Sequence, residues 1–386
     1  MDLTFTPKQE AFRREAREWL AAHVPKTRLR SMDTAEGFEQ HRAWERTLNE
    51  GRWAMVPWPV EYGGRGADLI EWLIFEEEYY HAQAPGRVNQ NGIFLLGPTL
   101  MEFGTPAQKA RYLPRMACSD EVWAQGWSEP NAGSDMAAIR ASARLDGDHY
   151  VLNGQKTWAS RAAFADWIFG IFRTDPASER HKGLTFILVP LNAPGVRVRP
   201  IAQLDGETGF AEVFFDDVRV PAENRLGEEG QGLKVALGSL GAGRIGIAAV
   251  CVGLARNALE LAARYALQRR QFGRAIADQE MIQAMLAEMA VRVDAARLLT
   301  WRAARMRDAG QPINTASSMA KWYASDTAMA VTTDAVQVYG GAGYSRDNPV
   351  ERLMRDAKGA QIYEGTNQIH RLIVAQGLLD SVRHEA

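Results

Sequence analysis

Five segments of this 386-residue chain combine residue types that could do chemistry. In the first, Gly126-Trp127-Ser128-Glu129-Pro130-Asn131-Ala132-Gly133-Ser134-Asp135, serines and glycines share a turn. Their N–H and hydroxyl groups can point one way and hold a pyrophosphate or the polar edge of a ring. In the second, Asn153-Gly154-Gln155-Lys156-Thr157-Trp158-Ala159-Ser160, Trp158 offers an aromatic wall and Ser160 a hydroxyl for a flat heterocycle. The third, Arg269-Arg270-Gln271-Phe272-Gly273-Arg274, can meet a phosphate with an arginine while Phe272 packs beside it. The fourth, Gln337-Val338-Tyr339-Gly340-Gly341-Ala342-Gly343-Tyr344, has glycines that permit close backbone approach to a ligand. In the fifth, Gln361-Ile362-Tyr363-Glu364-Gly365-Thr366-Asn367-Gln368-Ile369, Gly365 ends one helix and Thr366 or Asn367 caps the next. Glu364 then sits at a helix break. A helix C-terminus and partial desolvation raise a carboxyl pKa, which suits a general base near neutral pH. Taken alone, each segment also fits a plainer role: a turn-rich loop, a core tryptophan, cations before a glycine cap, an interhelix turn, an exposed glutamate.

The elements that must position these residues fall into three parts. Residues 1 to about 120 read as helical. Thr6-Pro7-Lys8-Gln9 and Thr105-Pro106-Ala107-Gln108 are capping boxes, and the second helix is expected to end near Pro114. From about 121 the period changes. An Asp146-Gly147-Asp148 turn joins a hairpin, and apolar runs at 167–172, 184–189, 196–198 and 212–215 read as strands of a small barrel or sandwich. From about 231, helical stretches at 244–268, 278–309, 313–340 and 347–376 suggest a four-helix bundle. The expected fold class is α+β, with domains 1–120, 121–230 and 231–386.

Gly241-Ala242-Gly243-Arg244-Ile245-Gly246 matches a dinucleotide fingerprint, with Glu260 some twenty residues on. That motif needs a strand before it and another after its helix. Here the preceding stretch is a poor strand and Glu260 continues a helix. Small residues allowing close helix packing are the preferred reading.

Lys plus Arg number 45 and Asp plus Glu 47, a net charge of −2, which lacks the basic signature of a nucleic-acid binder. Two cysteines and the absence of CxxC and HExxH patterns argue against a disulfide framework or a zinc site, and no metal is expected. The N-terminus reads as a capped amphipathic helix rather than a targeting signal, and no run of 18 apolar residues suggests a membrane span. The expected compartment is the cytoplasm.

The five segments, in this order and with this layout, resemble the acyl-CoA dehydrogenase family over essentially the whole chain. Ser-Glu-Pro-Asn-Ala-Gly-Ser-Asp, Arg-Arg-Gln-Phe-Gly and Tyr-Glu-Gly-Thr-Asn-Gln carry the resemblance. It implies a homotetramer with one FAD per subunit, an acyl-CoA substrate and an electron-transfer flavoprotein as acceptor. Glu364 matches the family's catalytic base, whose backbone N–H helps to bind the thioester carbonyl. Ser128, Trp158 and Ser160 match positions lining the flavin, and Thr366 and Gln368 match FAD contacts. Arg269, Gln271, Phe272, Gln337 and Gly341 match positions reaching a neighbouring subunit's FAD. Ser134 matches a position at the CoA and FAD phosphates, and Arg244 an arginine near the acyl-CoA. Some members carry the base at the position of Gly243, where glycine cannot serve. Gly241 replaces a common Asp, and Ser160 a more usual Thr. Arg87 lies one position from a substrate-binding arginine of dicarboxyl-CoA members and is taken as a surface residue. Chain length is expected to depend on residues near 88–100. An oxidase or flavin monooxygenase on the same fold, and a non-catalytic subunit of a hetero-oligomer, are the alternatives.

Overall fold

In the computed structural model, residues 4–385 apart from Ser239 are described. The helices are α1 Pro7–His23, α2 Ala35–Glu50, α3 Leu69–His81, α4 Gly97–Phe103 and α5 Pro106–Ala117, then α6 Gly232–Gly238, α7 Leu240–Gln268, α8 Glu280–Asp308, α9 Asn314–Tyr339, α10 Val350–Ala360 and α11 Asn367–Glu385. Between α5 and α6 lie the strands β1 Trp123–Gly126, β2 Ser142–Asp146, β3 His149–Ser160, β4 Trp167–Arg173, β5 Leu184–Pro190, β6 Val196–Ile201, β7 Phe210–Pro221 and β8 Arg225–Leu226. A later hairpin pairs β9 Arg270–Gln271 with β10 Arg274–Ala275. The architecture is therefore mixed, with N-terminal helices, a middle sheet and C-terminal helices.

The chain divides into two compact units. One gathers Met1–Val24, Asp68–Ala84 and Gly241–Ala386; the other gathers Pro25–Ala67 and Pro85–Leu240.

In the second unit the strands form one hydrogen-bonded path, β6-β7-β3-β2-β4-β5-β8, with β1 joined in parallel to β4. The path is open, since its end strands β6 and β8 do not pair with each other. The Asp-Gly hairpin forms as expected, Asp146 opposite His149, with Gly147 at φ +62°. Tyr150, Leu152, Phe172, Ile187, Val213 and Phe215 pack into this unit's core. Helix α5 has its capping box but runs three residues past Pro114. The turn survives the missing N–H because Tyr112, Leu113, Met116 and Ala117 are all buried there. A π-type turn, Asn91–Leu96, leads into α4 within the segment expected to govern chain length. Arg87 is buried rather than at the surface: it sits over the Phe94 ring at 5.1 Å and faces the buried carboxyl of Glu45.

In the first unit, α1 packs on α3, α8 on α9, and α10 and α11 on α9. The Thr6 capping box forms, with Gln9 N–H donating to Thr6 Oγ1 at 3.2 Å. The expected helix over 347–376 is two helices, α10 and α11, broken where the backbone turns left-handed at Glu364 and Gly365. The Gly-x-Gly-x-x-Gly string lies inside α7, and a Cβ on Gly246 would come 2.7 Å from the Trp72 ring. That is close helix packing, not a dinucleotide turn. By length and composition the Gly243–Gln268 stretch is apolar enough to cross a bilayer, although charged residues such as Arg244, Arg256 and Glu260 interrupt it. Core helices meet the same criterion, and Ile245, Ala248, Val252, Ala255, Ala258 and Ala262 are buried at helical spacing.

Candidate active site

In the sheet unit, the first two chemical segments are fastened together. Thr157 N–H donates to the Ser128 carbonyl at 2.9 Å. One residue along in each segment, Lys156 Nζ lies 2.8 Å from Glu129 Oε1 and also donates to the Ile171 carbonyl at 2.6 Å. Glu129 accepts further bonds from the backbone N–H groups of Arg140 at 2.8 Å and Ala141 at 2.9 Å. Lys156 is fully buried, and burial brings its pKa down to about 8 against the pull of Glu129. The β3–β7 register shifts between Lys156 and Ala159, and Trp158 has φ +59°. A bulge of this kind re-aims side chains. It leaves Lys156 inside and the Trp158 indole 57% exposed, edge-on to Phe210. Ser128 and Ser160 are half-buried, Ser160 at the end of β3, while Ser134 is exposed. The exposed indole at the bulge and the half-buried Ser128 and Ser160 offer an aromatic face and hydroxyls to a ligand.

In the helical unit, Glu364 occupies the turn between α10 and α11. Its φ is +54°, followed by +85° at Gly365. A side chain at Gly365 would meet His370 Nε2 at 3.0 Å, so both conformation and space call for glycine there. Thr366 caps α11, its Oγ1 accepting from Ile369 N–H at 3.4 Å. Lys321 Nζ donates to the Gly365 carbonyl at 2.7 Å and to Asn367 Oδ1 at 3.1 Å. Asn367 in turn donates to Asp326 Oδ1 at 2.7 Å. His370 Nε2 donates to the Glu364 carbonyl at 3.1 Å. Among the described residues, no acceptor occupies the Glu364 backbone N–H.

Burial pushes the Glu364 carboxyl above the usual range, while Lys321 and Arg244 pull it back. Burial lowers Lys321 to about 8 and His370 to about 4, so His370 is neutral near pH 7. Arg244 is held by Asn314 Oδ1 at 2.7 Å and Ser318 Oγ at 3.3 Å. The result is a poised carboxylate with a free N–H beside it, flanked by two cations. It can accept a proton and bind a carbonyl oxygen.

The remaining candidates of this unit sit elsewhere on it. Arg269 follows α7, and Gln271 and Phe272 lie on the β9–β10 hairpin, with Phe272 at its tip 95% exposed and at φ +51°. Gln337 is exposed in the last turn of α9, and Gly341 is exposed in the turn that follows. Gln368 is exposed in the first turn of α11.

Sequence reasoning did not single out Lys321, His370, Lys156 or Glu129. Lys321 left a signal: it is a lone cation on a stripe of small residues, Ser317, Ser318, Ala324, Ser325 and Ala328, all buried.

Comparison with known proteins identifies the family. The N-terminal, middle and C-terminal domain models of acyl-CoA dehydrogenase match residues 6–120, 124–218 and 230–379. A relative from Clostridium acetobutylicum, "Acyl-CoA dehydrogenase, short-chain specific", is 36% identical over 380 residues, 97% of this chain and 99% of the relative. The structure of butyryl-CoA dehydrogenase from Megasphaera elsdenii aligns with TM-score 0.86 at 32% identity, over 98% of this chain and 100% of that one. A chain from a study of the electron transferring flavoprotein of Acidaminococcus fermentans aligns with TM-score 0.86 at 37% identity, over 98% and 100%. With three domain models in order along nearly its full length, the chain belongs to the acyl-CoA dehydrogenase family and is an oxidoreductase that dehydrogenates acyl-CoA.

Proposed function

We propose that the chain converts an acyl-CoA thioester to the trans-2-enoyl-CoA, with Glu364 removing the α-proton. The setting of Glu364 carries this reading: a half-buried carboxylate whose pKa is raised by desolvation, on a braced turn, with its own N–H unoccupied. That N–H donates to the thioester carbonyl and stabilises the enolate charge that develops as the proton leaves. Arg244 stands near the acyl-CoA. FAD, when bound, supplies at its N5 the acceptor of the β-hydride. Ser128, Ser134, Trp158, Ser160, Thr366 and Gln368 would hold it, and Ser134 also meets the CoA phosphates. Arg269, Gln271, Phe272, Gln337 and Gly341 would serve a neighbouring subunit's FAD.

The assembly proposed is a homotetramer in the cytoplasm, its three sequence domains 1–120, 121–230 and 231–386 acting as functional parts. Exposed apolar side chains in the helical unit support assembly, among them Phe272, Met281, Val291, Leu372 and Leu378. An electron-transfer flavoprotein is the proposed acceptor, which the Acidaminococcus study favours. The names of the Clostridium and Megasphaera proteins make a short acyl chain the first substrate to try.

The test is anaerobic reduction of the purified yellow protein by butyryl-CoA. Glu364→Gln keeps the size and loses the proton acceptor, so flavin reduction should slow by at least ~100-fold with FAD retained. A variant that reduces its flavin at the wild-type rate would sink the reading.

A further inference from the structure

We infer that Lys321 is the positioning residue of the general base: through the Gly365 carbonyl it holds Glu364 in its left-handed conformation, and its charge sets the pH at which the base becomes active. The inference rests on the reading of Glu364 as the base.

The turn itself demands a brace. A glutamate with positive φ lies in a region that side chains disfavour, and such a conformation persists only where the surroundings over-determine it. The bonds that do so converge on Glu364, Gly365 and Asn367. His370 holds the Glu364 carbonyl, Lys321 holds the Gly365 carbonyl, and Asn367 is fixed by Lys321, Ser325 and Asp326. Lys321 bonds both the turn, at the Gly365 carbonyl, and the start of α11, at Asn367.

The second argument is charge. Lys321 is fully buried, yet no carboxylate lies within ion-pair distance of it among the described residues. Its two hydrogen-bond acceptors are neutral oxygens. A buried cation without an ion pair is expensive, and a methionine of similar length would fill the space at less cost. The ammonium therefore has a use that packing does not supply. The charge it faces is Glu364, whose ionised form it favours. Other groups act on the same pocket: Arg244 and Cys251 from α7, Asp326 from α9, Tyr363 in the turn and His370 from α11. Of these, Arg244 also favours the ionised base, while the Cys251 thiol, pushed up to about 12, and His370 are neutral at working pH.

The sign follows. Removing the cation raises the pKa of Glu364, so the acidic limb of the rate profile moves to higher pH. The experiment uses the holoenzyme and compares Lys321→Met, Lys321→Arg and Glu364→Gln. Three quantities are read: flavin reduction against pH, acyl-CoA affinity, and hydrogen exchange of the 361–367 amides. Lys321→Met should move the limb up by about one pH unit, which is about tenfold in rate on the acid side. Affinity should stay within about twofold, and the amides should exchange faster. Lys321→Arg should return the limb toward its wild-type position. If Lys321→Met does not fold, Lys321→Gln keeps a donor without the charge and reads the same limb. The inference is overturned if the limb stays in place, even where exchange quickens, because Lys321 is then only structural. Glu364→Gln separates the two levels. If it reduces flavin at the wild-type rate, the base reading falls and this inference with it. If it is inactive while Lys321→Met matches wild type, only the inference falls.

Discussion

Lys156 and Glu129 form a buried ion pair, Nζ to Oε1 at 2.8 Å, between the two segments assigned to the flavin. The Glu129 carboxylate also accepts from the backbone N–H groups of Arg140 and Ala141, at the end of its own loop. The pair thus sets the shape of the loop that carries Ser128 and ties it to the bulge that carries Trp158. Lys156→Met leaves Glu129 buried without its cation, and breaking such a pair costs about 3–5 kcal/mol. Denaturant unfolding should show that loss. Adding Glu129→Gln should recover part of it, and a single variant as stable as wild type would show that the pair does not hold the loop.

This pair also marks what the sequence could and could not disclose. Capping boxes at Thr6 and Thr105 and the Asp-Gly hairpin are local patterns, readable because partner and signal lie within four residues. Glu364 was legible because a glycine and a cap follow it directly. Lys156 and Lys321 were not, because their acceptors lie 27 and 44 residues away, at Glu129 and Gly365. Arg87 was misread for the same reason: Glu45, the buried carboxyl it faces, lies far back in the chain on α2. The left-handed conformation of Glu364 itself needed the backbone, since a glutamate does not announce a positive φ.

Ser160 tests the flavin assignment. Its hydroxyl, half-buried at the end of β3, is placed to hydrogen-bond the cofactor in the proposed reading. Ser160→Ala should slow flavin reduction by up to about tenfold, the worth of a bond of ~1 kcal/mol. Stopped-flow traces that overlay those of wild type would put Ser160 away from the ring.

Arg269 tests assembly. It precedes a hairpin whose tip presents Phe272 almost wholly to solvent. Arg269→Ala should weaken FAD retention and oligomerisation together. Sedimentation and flavin absorbance on the same sample decide it: a monomer with full flavin contradicts a cofactor site shared across subunits.

His370 gives a pH dependence of stability. Its pKa falls from 6.5 to about 4 on folding, chiefly through burial. The folded state therefore binds fewer protons than the unfolded one between those values. The contribution is intact above about pH 6.5 and is lost as pH falls toward 4, about 3 kcal/mol in all. Urea unfolding of wild type and His370→Gln at pH 7 and pH 4.5 should show the wild type losing more stability on acidification. Equal losses would place the titration elsewhere.

The left-handed backbone at residue 364 has an evolutionary consequence. In the proposed reading Glu364 is the catalytic base, yet a glycine in its place would relax the chain rather than strain it. Position 364 is therefore one that a lineage can vacate without refolding its neighbourhood. The family resemblance places the alternative base at Gly243, on another helix. Inheritance of the turn thus does not oblige inheritance of the glutamate: the main-chain geometry can persist while the proposed base moves to another helix.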